Sequence, residues 1–276
     1  MLLYEIMSDL HVGQSTETPK PWLFSGFDDC AFSIIAGDTS KGVWETLRVV
    51  EALEATGRKV FFIDGNHEHY LNVDENRSIV ETEELFFGKG NTGQVYVPEG
   101  CERIAVIGCN GWFRVEKEMP FWERLKRGEW VGDVAGVNDA AERHAAWMDE
   151  QLSNLSRGQK ALVVTHTLPS IRLIRRKWHG HEGTELVYNP FMEPIFEKHR
   201  NNILAWHHGH THEVFLDNMF GVPVVCNPRG FSHNNHEKWA PWICGVRREN
   251  GKKLLWQGRR ATGIYLGERD ETHPTS

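Results

Sequence analysis

Lys59-Val60-Phe61-Phe62-Ile63-Asp64-Gly65-Asn66-His67-Glu68 runs an apolar segment of strand length straight into a turn carrying an amide, an imidazole and a carboxylate. The run is continuous rather than alternating, as expected of a strand covered on both faces. Gly65 allows a tight turn and close backbone approach where that strand ends. The same punctuation recurs along the chain. Asp9-Leu10-His11 follows an apolar run over 2–7, Gly37-Asp38 follows 31–36, His166 follows 161–165, and Gly209-His210-Thr211-His212 follows 203–206. In an open α/β sheet the ends of strands are where ligands bind.

Further apolar runs lie at 103–107, 222–226, 242–246 and 253–256, with helical stripes between them. Val43, Leu47, Val50 and Leu53 form one stripe, and Ala141, Ala145, Met148, Leu152 and Leu155 form another. Asp139 with Glu142 reads as a capping-box start for the second helix, and Gly158 follows its end. Asn189-Pro190 reads as the N-cap and first-turn proline of a helix running to about residue 200. Strands alternating with helices, then a strand-rich last third, predict an α/β architecture of two sheets covered by helices. We expect one domain over 1–266 and a short polar tail over 267–276. Two connections, near 111–138 and 170–188, exceed the usual length of about 4–6 residues, which is common in binding elements. The first holds Trp112, Phe113, Phe121, Trp122 and Trp130, and the second holds Arg172, Arg175, Arg176, Lys177, His179 and His181. The alternative for both is packing over a sheet edge.

Hydrophobic residues make up 40% and charged residues 25% of the 276, an ordinary balance for a globular protein, which excludes fibrous and disordered classes. No apolar run approaches a membrane span and the N-terminus lacks a signal-peptide pattern, so a cytoplasmic protein without membrane contact is expected. The five cysteines are odd in number and lie in or beside apolar runs, which reads as buried, reduced thiols. A net charge of −7 argues against tight nonspecific binding of nucleic acid. It leaves small phosphate esters open, because bound cations reverse the local potential. Arg172, Arg175, Arg176 and Lys177 beside Trp178 keep a nucleic-acid contact as an alternative, against the reading of a solvated loop.

The strand-end residues share a chemistry. In an extended segment, residues i and i+2 point the same way, so Asp9 with His11, and His210 with His212, are expected to converge in pairs. Carboxylate, imidazole and amide oxygen without thiolate suit two divalent ions, Mn²⁺ first, with Fe or Zn²⁺ as alternatives. Two such ions about 3.5–4 Å apart need a shared carboxylate, and Asp38, ending a buried strand before a helix, is placed to provide it.

Asp9-Leu10-His11, Gly37-Asp38, Gly65-Asn66-His67-Glu68, His166 and Gly209-His210-Thr211-His212, in this order, resemble the calcineurin-like metallophosphoesterase superfamily. The resemblance runs from residue 3 to about 230 and implies a four-layer α/β/β/α sandwich with a dinuclear metal centre. It implies one ion held by Asp9, His11, Asp38 and His212, and a second by Asp38, Asn66, His166 and His210. It leaves His67 to assist the leaving group while a metal-bridging water attacks phosphorus in line. Asn66 or metal-held oxygens would position the phosphoryl group, and Glu68 would orient a turn or a histidine. Asn227-Pro228-Arg229-Gly230 resembles a bacterial and phage branch of that superfamily, in which Arg229 would contact phosphate or pair with a loop carboxylate. Thr167 stands where that branch commonly has a second histidine. The residues after Asp38 and Asn66 depart from the Asp-Arg and Arg-Gly pattern of protein Ser/Thr phosphatases. The reaction implied is hydrolysis of a phosphomonoester or phosphodiester, with a nucleotide-type substrate favoured. A nucleic-acid end-processing activity and a non-catalytic scaffold of the same fold, as in a retromer subunit, are the alternatives. His144, His199 and His207 read as scaffold, with His207 close enough to the last motif to compete for its place.

Overall fold

Among the described residues, two six-stranded sheets face each other across a shared apolar core. The computed structural model describes residues 2–13, 30–57, 59–69, 77–116, 134–181, 183–230, 239, 241–249, 252–259 and 262–265. The first sheet has the order β12-β11-β10-β1-β2-β3, built from β1 Leu2–Met7, β2 Phe32–Ala36, β3 Val60–Ile63, β10 Trp242–Glu249, β11 Lys252–Arg259 and β12 Thr262–Tyr265. The second has the order β4-β5-β6-β7-β9-β8, from β4 Gln94–Tyr96, β5 Ile104–Cys109, β6 Lys160–Thr165, β7 Ile203–His208, β8 Phe215–Met219 and β9 Val222–Cys226. β1, β2 and β3 run parallel, as do β5, β6, β7 and β9. Antiparallel strands flank both parallel cores. Parallel pairing brings the C-terminal ends of β1, β2 and β3 to one edge, and those of β6 and β7 likewise, so the polar turns that follow them gather there.

Burial explains why the central runs are continuously apolar. Phe32, Ile34 and Ala36 of β2, and Phe61 and Ile63 of β3, face Val106, Leu162, Val164, Ala205 and Val225 of the opposing sheet. Their sequence neighbours Ile35, Val60 and Phe62 point the other way, onto Val49, Val50 and Leu53 of α1 (Val43–Glu54). Ala161 and Val163 of β6 likewise turn outward onto Ala145, Met148 and Leu152 of α3 (Val134–Ser153) and Met192 and Phe196 of α4 (Met192–His199). The layers are therefore helix, sheet, sheet, helix. Ile34 and Ile35 are both fully buried, on opposite faces, and truncating either to Ala should cost about 2–5 kcal/mol.

Several local expectations need correction. The second predicted helix begins at Val134, five residues before Asp139, because Val137, Ala140 and Ala141 extend its buried stripe against Trp112, Phe113 and Val115. The loop expected over 111–138 thus ends in helix, and Phe121, Trp122 and Trp130 lie outside the described residues. Asn189 does not cap the following helix directly. Its Oδ1 accepts from the Phe191 amide in a turn, and the helix starts at Met192, ends at His199 and gives way to a 3-10 turn over Arg200–Asn202. The 170–188 segment holds three 3-10 turns, Ile171–Leu173, Arg176–Trp178 and Thr184–Val187, with Leu173 and Leu186 buried. α2 (Ile79–Phe87), absent from the sequence expectations, opens on a complete capping box formed by Ser78 and Glu81. Cys109, Cys226 and Cys244 are buried free thiols, whereas Cys30 and Cys101 are half-buried. Among the described residues no helix is long and apolar enough to cross a membrane. The tail over 267–276 lies outside them.

Candidate metal centre

Asp9, His11, Asp38, His210 and His212 all adopt the left-handed backbone region, with φ of 50°, 46°, 51°, 69° and 50°. Among the described residues only Phe220 joins them as a non-glycine with positive φ. Such positions cost on the order of 1–3 kcal/mol each and persist only where surrounding structure over-determines them. Here it does. The ladder between β1 and β2 continues past their ends as Asp9 N to Gly37 O (3.0 Å), His11 N to Asp38 O (3.1 Å) and Val12 N to Thr39 O (2.9 Å). From the other side Gly230 N donates to Asp9 O (2.9 Å) and Arg229 Nη1 to Leu10 O (2.6 Å). The pairs therefore converge through left-handed turns rather than along an extended segment, which corrects the alternation argument. Arg229 spans the Asp9–His11 turn by donating to the Leu10 carbonyl.

Two ligand groups result. Asp9, His11, Asp38 and His212 each offer one ligand atom within 4.8 Å of the others, and Asp38, His166 and His210 do the same. Asp38 belongs to both. Asn66 Oδ1 joins the second group, 3.0 Å from His166 Nε2, and His210 Nδ1 lies 3.2 Å from the same nitrogen. Outer contacts fix which ring nitrogen faces inward: His166 Nδ1 donates to the Ala36 carbonyl (2.9 Å) and His210 Nε2 to the Leu186 carbonyl (3.1 Å). His67 stands in neither group. Its Nε2 is 3.9 Å from Asp38 Oδ2 and its ring meets His11 edge-on, 4.6 Å between centroids.

The electrostatics suit cations. Burial pushes His11 and His210 down to about 3, leaving neutral imidazoles with lone pairs to offer. Burial opposes ionisation of Asp38, but His166, His67 and His11 around it hold its carboxyl well below the usual range. Burial also acts against His166, yet Asp38 raises it to about 10, so an imidazolium offsets the buried carboxylates. Divalent ions would take over that role, and the O/N donor set, free of thiolate, fits them.

The scaffold is crowded around these ligands. A Cβ on Gly65 would overlap the Asp38 carboxylate and amide, and one on Gly209 would lie 2.7 Å from Ala36 O and 2.9 Å from Asp9 Oδ2. Buried Glu68 gathers the turns: its carboxylate accepts from the amides of Asp38 (3.1 Å), Thr39 (2.7 Å), Ser40 (3.1 Å) and Gly65 (2.7 Å) and from the Thr46 hydroxyl (2.9 Å). Burial and Asp38 push this carboxyl up to about 7 while the amides pull it back. All five partners donate, so the ionised form is the one they satisfy. Glu68 orients turns, not a histidine.

Other residues near the centre escaped the sequence reading. Ser8 Oγ donates to Asp9 Oδ2 (2.6 Å). Asp64 Oδ2 binds His69 Nε2 (2.6 Å) and Asn110 Nδ2 (3.0 Å), and the Asn110 carbonyl accepts from the His166 amide (2.8 Å). Asn110 stands between the end of β5 and Gly111, the same punctuation as the other motifs, which was the available signal. His207 bonds Tyr4 Oη (3.0 Å), His144 bonds Glu83 (2.7 Å) and His199 bonds Asp149 (2.7 Å), all outside the two groups.

The fold is shared with phosphopantetheinyl hydrolase from Mycobacterium tuberculosis, at a TM-score of 0.60 and 16% identity over 84% of this chain and 90% of that one. It is shared equally with a dimetal phosphatase from Danio rerio, at a TM-score of 0.59 and 13% identity over 93% and 95% of the two chains. No curated protein matches the sequence. Residues 6–214 match the family described as calcineurin-like phosphoesterase, spanning the five strand-end motifs that carry the candidate ligands. The chain therefore belongs to the calcineurin-like phosphoesterase family, metal-dependent hydrolases of phosphoric esters.

Proposed function

We propose that this protein hydrolyses a phosphomonoester or phosphodiester, with a nucleotide-type ester favoured, at a dinuclear centre loaded with Mn²⁺ or, in its place, Fe or Zn²⁺. The observation that carries the reading is the sharing of Asp38 between two ligand groups while His67 stands beside the same carboxylate without joining either. Asp9, His11, Asp38 and His212 would hold one ion, and Asp38, Asn66, His166 and His210 the other. When bound, the pair supplies Lewis-acid polarisation of the phosphoryl oxygens and a water acidified for in-line attack.

This chain's own residues do the rest. Asp38 sets the separation of the two positions, and Glu68 and Gly65 hold its turn. His67 delivers a proton to the departing alkoxide. Burial lowers its pKa from 6.5, with Asp38 opposing, so the ring releases a proton readily once it carries one. The Asn66 amide group orients the phosphoryl oxygens, and Arg229 braces the Asp9–His11 turn.

The full ligand set with His67 favours hydrolysis over a scaffold role. Arg172 pairs with Glu193 (2.9 Å) and Arg175 with Glu213 (3.1 Å), so two of the basic loop residues are matched by carboxylates, which favours a small ester over a nucleic acid. The buried free thiols Cys109, Cys226 and Cys244 suit a reducing, cytoplasmic setting. The test is a panel of mono- and diesters assayed with Mn²⁺, Zn²⁺, Fe²⁺ and Mg²⁺. Metal-dependent turnover of at least one ester is expected, and no turnover with any pair would overturn the proposal.

A further inference from the structure

A cavity of about 290 Å³ adjoins the metal centre, with His210 and Thr211 in its wall. Its floor is apolar: Leu173, Ile174 and Phe215 are buried there, with Val187 packed beside them. The 3-10 turn Thr184–Val187 that walls the cavity also supplies the Leu186 carbonyl that fixes His210, so cavity and ligand are held by one element. The rim has a different character. Trp178 is 46% exposed, with His181 edge-on to its ring at 5.5 Å. Arg175 Nε lies 3.1 Å from Glu213 Oε2, placing a donor fork and an acceptor side by side.

Size and lining narrow the occupant. The volume is at the low end of small-molecule sites, roughly 300–1,000 Å³, enough for a ring system and too little for a polymer segment. The apolar floor would strip water from a phosphate or sugar without replacing its hydrogen bonds, so neither belongs there. A flat ring fits floor and Trp178 alike, because its faces are apolar and stack on indole. The paired guanidinium and carboxylate at the rim then meet polar atoms on the ring's edge.

We infer that this cavity is the specificity pocket of the enzyme and takes the heteroaromatic ring, of nucleobase type, carried by the ester's alcohol while the phosphate sits at the metal centre. The inference rests on the phosphoesterase reading and adds to it the residues that select the substrate. Thr184, Val187 and Trp178 come from the long connection whose role the sequence left open between binding and packing.

The test compares kcat/KM for adenosine monophosphate and glycerol phosphate in the wild type, Trp178→Ala and Val187→Phe, each loaded with Mn²⁺. Loss of a stacking face should lower the nucleotide-to-glycerol ratio about tenfold or more in Trp178→Ala, and filling the pocket should lower it in Val187→Phe. An unchanged ratio in both variants would overturn the inference. Equilibrium dialysis of adenosine, which has no phosphate, separates the two readings. If neither ester is hydrolysed and the wider panel of mono- and diesters shows no turnover either, the phosphoesterase reading fails by itself, while adenosine binding weakened by Trp178→Ala supports the pocket. Absence of adenosine binding to the wild type, with an unchanged ratio for the esters, would rule the pocket out.

Discussion

The Nε2 atoms of His11 and His212 approach to 2.9 Å across 201 positions of sequence. Burial leaves His11 without a proton near neutral pH, and Asp9, overcoming burial, raises His212, so in the absence of a cation one ring donates to a neighbour. With a cation both lone pairs aim at one ion. Removing metal by chelation should therefore cost stability as well as activity, by about 2.7 kcal/mol for an ion present at one hundred times its Kd. Thermal melts with and without chelator check this, with Mn²⁺ restoring both Tm and turnover. An unchanged Tm would contradict a shared ion at this pair.

Gly65 has no room for a side chain. Gly65→Ala drives a methyl into the Asp38 carboxylate and amide, the two groups on which both ligand sets and the Glu68 clamp depend. Overpacking of this kind costs about 1–3 kcal/mol. Metal content measured on the purified variant should fall well below that of the wild type, with Tm lowered by several degrees.

His207 predicts a stability change with pH. It lies buried in β7 against Tyr4, and burial, with His208 nearby, pushes its pKa down to about 3. In the unfolded chain it would titrate near 6.5, so between those values the unfolded state binds the extra proton and stability falls as pH falls. The contribution is about 1.4 kcal/mol per pH unit below 6.5. Chemical denaturation of the wild type and His207→Gln at pH 7.5, 6 and 5 measures it: the difference in slope between the two belongs to this ring. Equal slopes would remove His207 from the acid response.

Ser78→Ala removes the hydroxyl that accepts from the Glu81 amide at 3.2 Å and opens the capping box of α2. A loss of about 1 kcal/mol is expected, with kcat and KM unaltered because the cap touches none of the ligand residues. Urea melts and a single saturation curve suffice.

These predictions draw unequally on what the sequence could tell. The buried strands were legible because both faces of β2, β3 and β6 pack against apolar layers, so each reads as a continuous run. β4 and β8 were not: Val95 and Leu216 are exposed, and edge strands like these carry no such signal. The candidate ligand residues were legible as types and positions, since a strand end followed by Asp, His or Asn is rare in repetition, and the structure brings them together in two groups. Their geometry was not, because the left-handed turns come from tertiary contacts rather than local propensity: Asp9 and His11 are held from 37–39 and 229–230, the Asp38 amide by Glu68 and the His210 amide by Asp9. Asp139 misled for the opposite reason. A capping pattern occurs inside α3, and burial of Val137 against the 112–115 segment outweighed it. The cavity beside His210 depends on side chains from two separate segments, and only the unusual length of the 170–188 connection pointed toward it.

His67 carries the central claim, since on the proposed reading it is the residue that turns a pair of metal positions into a catalyst. His67→Ala and the wild type should be compared for bound metal by elemental analysis and for kcat on whichever ester the panel identifies. The expected result is close to two ions per chain in both proteins, with kcat reduced about 10²- to 10⁴-fold in the variant. Undiminished kcat in His67→Ala, or a wild-type protein that hydrolyses esters without stoichiometric metal, would contradict the account.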